Sequence, residues 1–111
     1  MQANNGANMK TRRRENLSVR KEEILNAALV LAARIGYNRI TREHVAACAG
    51  TSCALVTHYF GSMEQLKQDV LKAAIRREIY LIIAQGLSLG EPLTKTISKE
   101  LKDKVLAFLT N

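Results

Sequence analysis

Proline, cysteine and aromatic side chains are scarce in this chain of 111 residues, which has one proline, two cysteines and no tryptophan. Cys48 and Cys53 cannot build a framework of several disulfide bonds, which excludes a disulfide-rich secreted protein and favours a reducing compartment. With so little proline and 47% hydrophobic residues, the composition is typical of one compact helical domain rather than of a disordered chain.

Long apolar runs and export signals are missing as well. Apolar runs such as Ile79 to Ala84 are much shorter than the about 20 residues that cross a bilayer. The basic residues near the N-terminus are not followed by the apolar segment of a signal peptide. We therefore expect a soluble cytoplasmic protein that makes no membrane contact.

Patterns of catalysis are absent too. The sequence has no glycine-rich phosphate loop, no Ser-His-acid set and no paired carboxylates in an apolar setting. Neither enzymatic activity nor a bound cofactor is expected.

A metal site must be weighed, because His44, Cys48, Cys53 and His58 are all possible zinc ligands. Cys48 lies near a packed turn, whereas His58 is expected to point outward, so the four do not converge and no metal site is predicted. Cys53 begins a predicted helix, where a thiolate is favoured. A redox-sensitive thiol is thus the alternative to a plain small surface residue.

Positive charge is in excess, with 17 basic against 10 acidic residues and a net charge of +7. The first 20 residues hold five basic residues and a single acidic one. Residues 1–17 are polar, rich in Asn and Arg and without hydrophobic periodicity, which predicts a flexible basic arm. Positive charge gathered at one end suits a polyanionic partner such as nucleic acid, the alternative being a solvated tail.

Hydrophobic periodicity predicts an all-α fold, since apolar residues recur at helical spacing after residue 17 and strand signals are absent. Ser18 can cap the first helix, which should end at Gly36. A long fourth helix should begin at Ser62, where Gln65 gives the spacing of a capping box, and continue to Ile83.

Two short helices between these form the most informative segment. The second helix should run from its cap Thr41 to Ala49, with Gly50 ending it and Ser52 capping the third. Inward-facing positions on the third helix are Val56, Tyr59 and Phe60. Its outer side carries Ala54, Leu55, Thr57 and His58. This layout predicts a three-helix DNA-binding unit of the helix-turn-helix type.

The C-terminal segment predicts a dimer. Gly86, Gly90 and Pro92 should break the chain after the fourth helix, and a short amphipathic helix should follow over 93–109. The apolar end of the fourth helix exceeds what a monomer of short helices could cover, so both segments should pair with a second copy. The predicted interface residues are Ile79, Leu81, Ile82, Ile83, Ile97, Leu101, Val105 and Phe108. The chain thus divides into an arm (1–17), a DNA-binding domain (18–75) and a dimerisation segment (76–111).

Residues 20–75 resemble the DNA-binding domain of the tetracycline-repressor (TetR) family. The matching positions are Ile24-Leu25, Ala27-Ala28, Gly36-Tyr37, Thr41, Val45-Ala46, Ala49-Gly50, Ser52, Ala54-Leu55-Val56, Tyr59-Phe60-Gly61-Ser62 and Leu66. The resemblance implies a bacterial homodimer that places its third helix in the major groove and binds a palindromic operator in double-stranded DNA. Repression is the family default.

DNA contacts are carried over by position. They are Thr41 and Arg42 opening the second helix, Cys53, Ala54, Leu55, Thr57 and His58 in the groove, and Tyr59 on the backbone. Two departures stand out, because family members often have Tyr where this chain has Thr57 and Lys where it has Met63. Lys67, one turn further along the fourth helix, could replace the lost charge.

The groove-facing set contains no Arg, Lys, Asn or Gln, the side chains that form bidentate bonds to guanine or adenine. Direct readout by the third helix should therefore be weak and rest on thymine methyl groups, with Arg42, His58 and groove shape adding specificity. Within the arm, Arg12, Arg13 and Arg14 should follow the minor groove or bind phosphates loosely.

TetR-like regulators usually carry a long helical domain that encloses an inducer pocket, whereas only residues 76–111 follow the matched region here. Two helices leave little room for a cavity of roughly 300 Å³ or more, so no small-molecule effector is expected. The alternative function is a protein-interaction module that pairs with a full-length regulator and blocks it.

Overall fold

The computed structural model describes the backbone of residues 5–110 and the side chains of residues 19–110. Within these ranges the chain forms six α-helices and one 3₁₀-helix, and no described residue lies in a strand. The α-helices are α1 (Asn5–Ile35), α2 (Arg42–Ala49), α3 (Cys53–Phe60), α4 (Met63–Arg76), α5 (Tyr80–Ser88) and α6 (Lys99–Thr110). The 3₁₀-helix, Pro92–Thr96, joins α5 to α6. The all-α prediction is confirmed.

Helix α1 begins earlier than its sequence indicated. It starts at Asn5, so Ser18 lies inside the helix and most of the predicted arm has helical backbone. Neither glycine nor proline occurs between Gly6 and Gly36, so nothing in this stretch interrupts helix propagation. The predicted end is confirmed: Gly36 has φ of 101°, and its N–H donates to the carbonyl of Ala32 at 2.9 Å.

Local caps close the turns around α2, α3 and α4 as predicted. Each of the hydroxyl groups of Thr41, Ser52 and Ser62 accepts a bond of 3.1 Å from the backbone N–H three residues later. Gly50 ends α2 in the left-handed conformation. The capping box at Ser62 is half formed, because the Gln65 amide donates to Asp69 at 3.1 Å instead of returning to the cap.

The core lies where α1 crosses the other helices. Its fully enclosed side chains from α1 to α4 include Ile24, Ala28, Ala32, Val45, Val56, Leu66, Val70 and Leu71. Arg77 ties α1 to the end of α4, donating to Asn26 at 2.7 Å and to Glu22 at 2.8 Å. The helix-turn-helix therefore rests on a scaffold formed by α1 and α4.

The fourth helix does not continue to Ile83, which corrects the prediction. It ends at Arg76, and Glu78 adopts a left-handed φ of 55°. The N–H groups of Ile79 and Glu78 donate back to Ala74 and Ile75 at 2.8 and 3.2 Å, the pattern in which a left-handed residue closes a helix. That position is usually glycine, so its occupation by glutamate left no signal in the sequence.

Gly86 lies inside α5 and does not break it, a second correction. A methyl group added there would lie 3.0 Å from both Leu71 Cδ1 and Thr94 Cγ2, so the missing side chain lets α5 pack closely against α4. Gly90, with φ of 69°, and Pro92 form the actual break. Among the described residues, no helix is long and apolar enough to cross a membrane.

Three predicted dimer residues belong to the core of the single chain. Ile82, Ile83 and Val105 have no exposed surface, because α5 packs against both α4 and α6. They are not available to a second copy, and their assignment to an interface was wrong.

Candidate nucleic-acid interface

The outer face of α3 consists of small and polar side chains on a firmly anchored helix. Ala54, Thr57 and His58 are exposed, whereas Val56 and Phe60 are only 1% and 4% exposed on the opposite side. The Ser52 cap fixes the first turn of the helix. A helix of eight residues is thus held by its cap and its two core contacts, leaving one side free.

Other predicted groove residues are less accessible. Cys53, Leu55 and Tyr59 are half-buried and pack against the core. The Tyr59 ring meets the His58 ring edge to face, with centroids 5.3 Å apart. Thr57 donates its hydroxyl to the carbonyl of Cys53 at 3.1 Å. Its methyl group is therefore the part of the side chain that is left for an apolar contact. The accessible part of α3 thus offers the methyl groups of Ala54 and Thr57 and the ring of His58.

Three other predicted contact residues lie on neighbouring helices: Thr41 caps α2, Arg42 is the first residue of α2, and Lys67 lies in α4. Thr41 is exposed beside the start of α2, while Arg42 and Lys67 are half-buried. The Arg42 Nε is enclosed and has no hydrogen-bond acceptor among the described residues. Neither Arg42 nor Lys67 takes part in an ion pair within residues 19–110. Both cations are therefore uncommitted within the part of the chain described.

Arg20 is a further basic residue at the helix-turn-helix that sequence reasoning did not single out. Its guanidinium donates to the carbonyl of Gly50 at 3.3 Å and to Glu23 at 3.4 Å. It thereby connects α1 to the turn between α2 and α3. Gly50 lies 30 positions away, so no local spacing could have revealed this contact.

The side chains of Arg12, Arg13 and Arg14 lie outside the described residues, so their predicted contacts remain predictions. The two cysteines weighed as metal ligands lie within the described residues. Cys48 is exposed on α2, and Cys53 is half-buried at the start of α3. Among described residues, no three His, Cys, Asp or Glu side chains form a group that could hold a metal ion.

A surface cleft of about 340 Å³ lies between α1, α4 and the end of α3. Its lining residues are Lys21, Glu22, Leu25, Phe60, Asp69, Lys72 and Arg76. The Lys21 Nζ lies 5.6 Å from the centroid of the Phe60 ring, a cation–π contact. No pattern in the sequence indicated this cleft, which is large enough for a small ligand.

An apolar surface lies on α5 and α6. Leu81 and Phe108 are 40% and 47% exposed, and Leu106 and Leu109 add 47% and 54%. The rings of Tyr80 and Phe108 lie 5.8 Å apart and connect the two helices. Three further predicted interface residues, Ile79, Ile97 and Leu101, are half-buried against the core. Of the predicted interface set, Leu81 on α5 and Phe108 on α6 are thus exposed.

Residues 24–70 match the sequence model of the family described as bacterial regulatory proteins, tetR family. The chain is also 34% identical over 58 residues to the HTH-type transcriptional regulator BetI of Agrobacterium fabrum. That similarity covers 52% of this chain and 28% of the relative, so the chain spans well under half the length of that protein. No solved structure matches the chain significantly.

Proposed function

We propose that the protein is a cytoplasmic transcriptional regulator of the TetR family that binds a palindromic DNA operator as a homodimer, because residues 24–70 match the sequence model of that family. The observation that carries the proposal is the free outer face of α3, which projects from a capped helix with a completed core beneath it. A helix presented in this way can enter the major groove.

Recognition draws on more than α3. Ala54 and the Thr57 methyl group suit thymine methyls, and His58 offers one hydrogen bond. Arg42, at the start of α2, supplies a cation that forms no ion pair within residues 19–110. We therefore assign base reading to His58 and Arg42, and backbone contacts to Thr41, Tyr59 and Lys67 together with the basic N-terminal residues Arg12, Arg13 and Arg14.

Dimerisation uses the apolar surface of α5 and α6. Leu81, Leu106, Phe108 and Leu109 are apolar side chains that a single chain leaves largely in water. Pairing two copies through it would present two α3 helices to one duplex. The operator is then a palindrome with half-sites separated by about one or more helical turns.

The bound dimer acts as a repressor without a small-molecule inducer. The cleft beside Phe60 is the place to test whether an inducer binds, since it has the volume of a ligand site. Its lining is rich in charged side chains, which does not suit an apolar inducer. A thermal-shift screen should find no ligand that raises the melting temperature, and a specific stabilising ligand would contradict this part of the proposal.

Selection of bound sequences from a random DNA pool tests the function directly. We expect a palindromic motif with a fixed half-site spacing, and a pool that stays random would contradict sequence-specific binding. Arg42→Ala and His58→Ala should weaken binding to the selected operator more than binding to random DNA, by about 1–3 kcal/mol each. Lys102→Ala, which removes an exposed charge from α6, is the matched control and should leave that ratio unchanged. Equal losses on both DNAs would remove the base-reading role.

Deletion of residues 1–16 tests the basic arm. Each phosphate contact that is lost should reduce the dependence of the binding constant on salt by about one unit of slope. An unchanged slope would show that the arm does not touch DNA.

A protein-interaction module is the second candidate, and the exposed apolar surface of α5 and α6 is the observation that favours it. Such a protein would pair with a full-length regulator and block it. A gel shift separates the two: the proposed regulator retards its selected operator alone, whereas the module binds no DNA.

A further inference from the structure

We propose that Gln85 is a positioning residue that fixes the orientation of the helix-turn-helix relative to α5 and α6, and that it thereby determines which half-site spacing the dimer accepts. The inference rests on the proposed function, because it concerns how two copies share one operator. It adds a specificity determinant that does not itself approach DNA.

The Gln85 carboxamide makes two hydrogen bonds to the turn that leads into α2. Its Oε1 accepts from the backbone N–H of Tyr37 at 2.8 Å, and its Nε2 donates to the carbonyl of Ala32 at 3.0 Å. Both bonds are partly buried and join residues about 50 positions apart. Within the part of the chain described, they are the hydrogen bonds that connect α5 to α1 and its turn.

The surroundings of Gln85 make this connection rigid. The next residue, Gly86, lets α5 pack against Leu71 and Thr94 with no space for an added methyl group. Tyr37 is 2% exposed, so the turn that receives the bond is itself embedded. Gln85 therefore joins a tightly packed helix to a tightly packed turn, and little freedom remains between them.

The geometry matters for spacing because α2 begins only five residues after Tyr37. Helix α5 lies on the opposite side of this tie and carries part of the apolar surface through which the copies pair. The angle between that surface and α3 sets the distance between the two reading helices in the dimer. Two linked sites gain affinity only when the geometry lets both engage at once.

The test compares spacing preference with half-site affinity. Gln85→Leu removes both hydrogen bonds while keeping a side chain of similar size. For the wild type we expect the selected operator to bind at least about tenfold more tightly than the same half-sites moved by one base pair. In the variant that ratio should fall below about threefold, while affinity for a single half-site stays within about twofold of wild type.

Controls keep the outcome interpretable. Gln65→Leu makes the same chemical change at an exposed position of α4, where it removes only the intrahelical bond to Asp69, and should keep the wild-type ratio. Gln85→Met, an unbranched side chain of similar length, replaces Gln85→Leu if that variant does not fold. Amide hydrogen exchange at Tyr37 should accelerate in either Gln85 variant, because its N–H loses its acceptor.

Three results would overturn the inference. A variant that keeps the wild-type spacing ratio would show that Gln85 serves stability alone. A loss of half-site affinity as large as the loss on the full operator would show a general defect of the reading unit. A wild-type protein that selects no palindrome would overturn the proposed dimeric function, and this inference with it.

Discussion

The helix-turn-helix and the α5–α6 region hold their turns by different means. Around α2 and α3, each helix start is closed by a hydroxyl group three residues from the N–H that it caps, at Thr41, Ser52 and Ser62. Around α5, the chain instead turns through the left-handed Glu78, and its packing depends on remote neighbours of Gly86. Side-chain caps thus close the helix starts in the first region, whereas α5 begins without a side-chain cap and its close packing depends on tertiary contacts.

Their surfaces differ as well. The apolar side chains Val56 and Phe60 of α3 are buried in the core. The opposite side of α3 exposes small and polar groups. In α6 only Val105 is buried, and Leu106, Phe108 and Leu109 face water. The difference separates a face suited to a polar duplex from one suited to an apolar partner.

The largest expected effect comes from Ile82→Ala, which tests the reassignment of Ile82 from the interface to the core. Ile82 has no exposed surface, so removing its side chain leaves a cavity and should lower the free energy of unfolding by about 2–5 kcal/mol. Urea denaturation followed by circular dichroism measures the change.

Leu81→Ala is the matched control, because the neighbouring Leu81 is 40% exposed. Leu81→Ala should lower the free energy of unfolding less than Ile82→Ala does. It should raise the dissociation constant of the dimer more, as measured by analytical ultracentrifugation. If Ile82→Ala weakened the dimer without lowering the stability of the single chain, Ile82 would belong to the interface and not to the core.

High pH should weaken the junction between the regions at Tyr37. Burial, with the nearby Glu91 carboxylate adding to it, raises the pKa of Tyr37 from 10.0 to about 12. The unfolded chain therefore releases this proton at lower pH than the folded chain does. The free energy of unfolding should fall as pH rises from 10 to 12, by at most about 1.4 kcal/mol per pH unit.

Tyr37→Phe isolates that contribution, because lysines and other tyrosines titrate in both proteins. Its loss of stability between pH 10 and 12 should be smaller than that of the wild type, measured by urea denaturation at each pH. Parallel curves would show that the phenol does not titrate differently on folding. Below pH 10 the variant should be at least as stable, since the Tyr37 hydroxyl has no hydrogen-bond partner among the described residues.

The features that the sequence predicted have a local cause, whereas it missed those whose cause is remote. The caps Thr41 and Ser52 and the helix ends at Gly36 and Gly50 followed from residue type, because each acts within four positions. The hydrogen bond from Arg20 to the α2–α3 turn joins positions 30 residues apart, which no periodicity encodes.

Hydrophobicity also failed to distinguish a core from an interface. Ile82, Ile83 and Val105 were assigned to a partner chain, although α5 and α6 fold back and bury them. An apolar stripe shows that a surface must be covered, but not by what. The exposed patch around Phe108 became recognisable only after the internal contacts were known.

Gly86→Val tests whether α5 depends on its close packing against Leu71 and Thr94. The added side chain would press on Leu71 and Thr94, and overpacking of this kind costs about 1–3 kcal/mol. Thermal unfolding should show the loss. Ala107→Val, on the exposed face of α6, controls for β-branching in a helix and should cost well under 1 kcal/mol. Equal melting temperatures for the two variants would show that α5 yields easily and that its close approach to α4 has no structural importance.

The smallest effect is the most discriminating, because two serines play the same local role in the two regions. Ser52 caps α3 and Ser98 caps α6, each accepting a backbone bond of 3.1 Å. Replacing either by alanine should cost about 1 kcal/mol of stability, so thermal unfolding alone should not distinguish them. DNA binding should, because α3 has only eight residues and fraying its first turn displaces Ala54 at the start of the free face. In a gel shift, Ser52→Ala should lose operator affinity while Ser98→Ala keeps it; equal losses would mean that α6 contributes to the reading geometry as directly as α3 does.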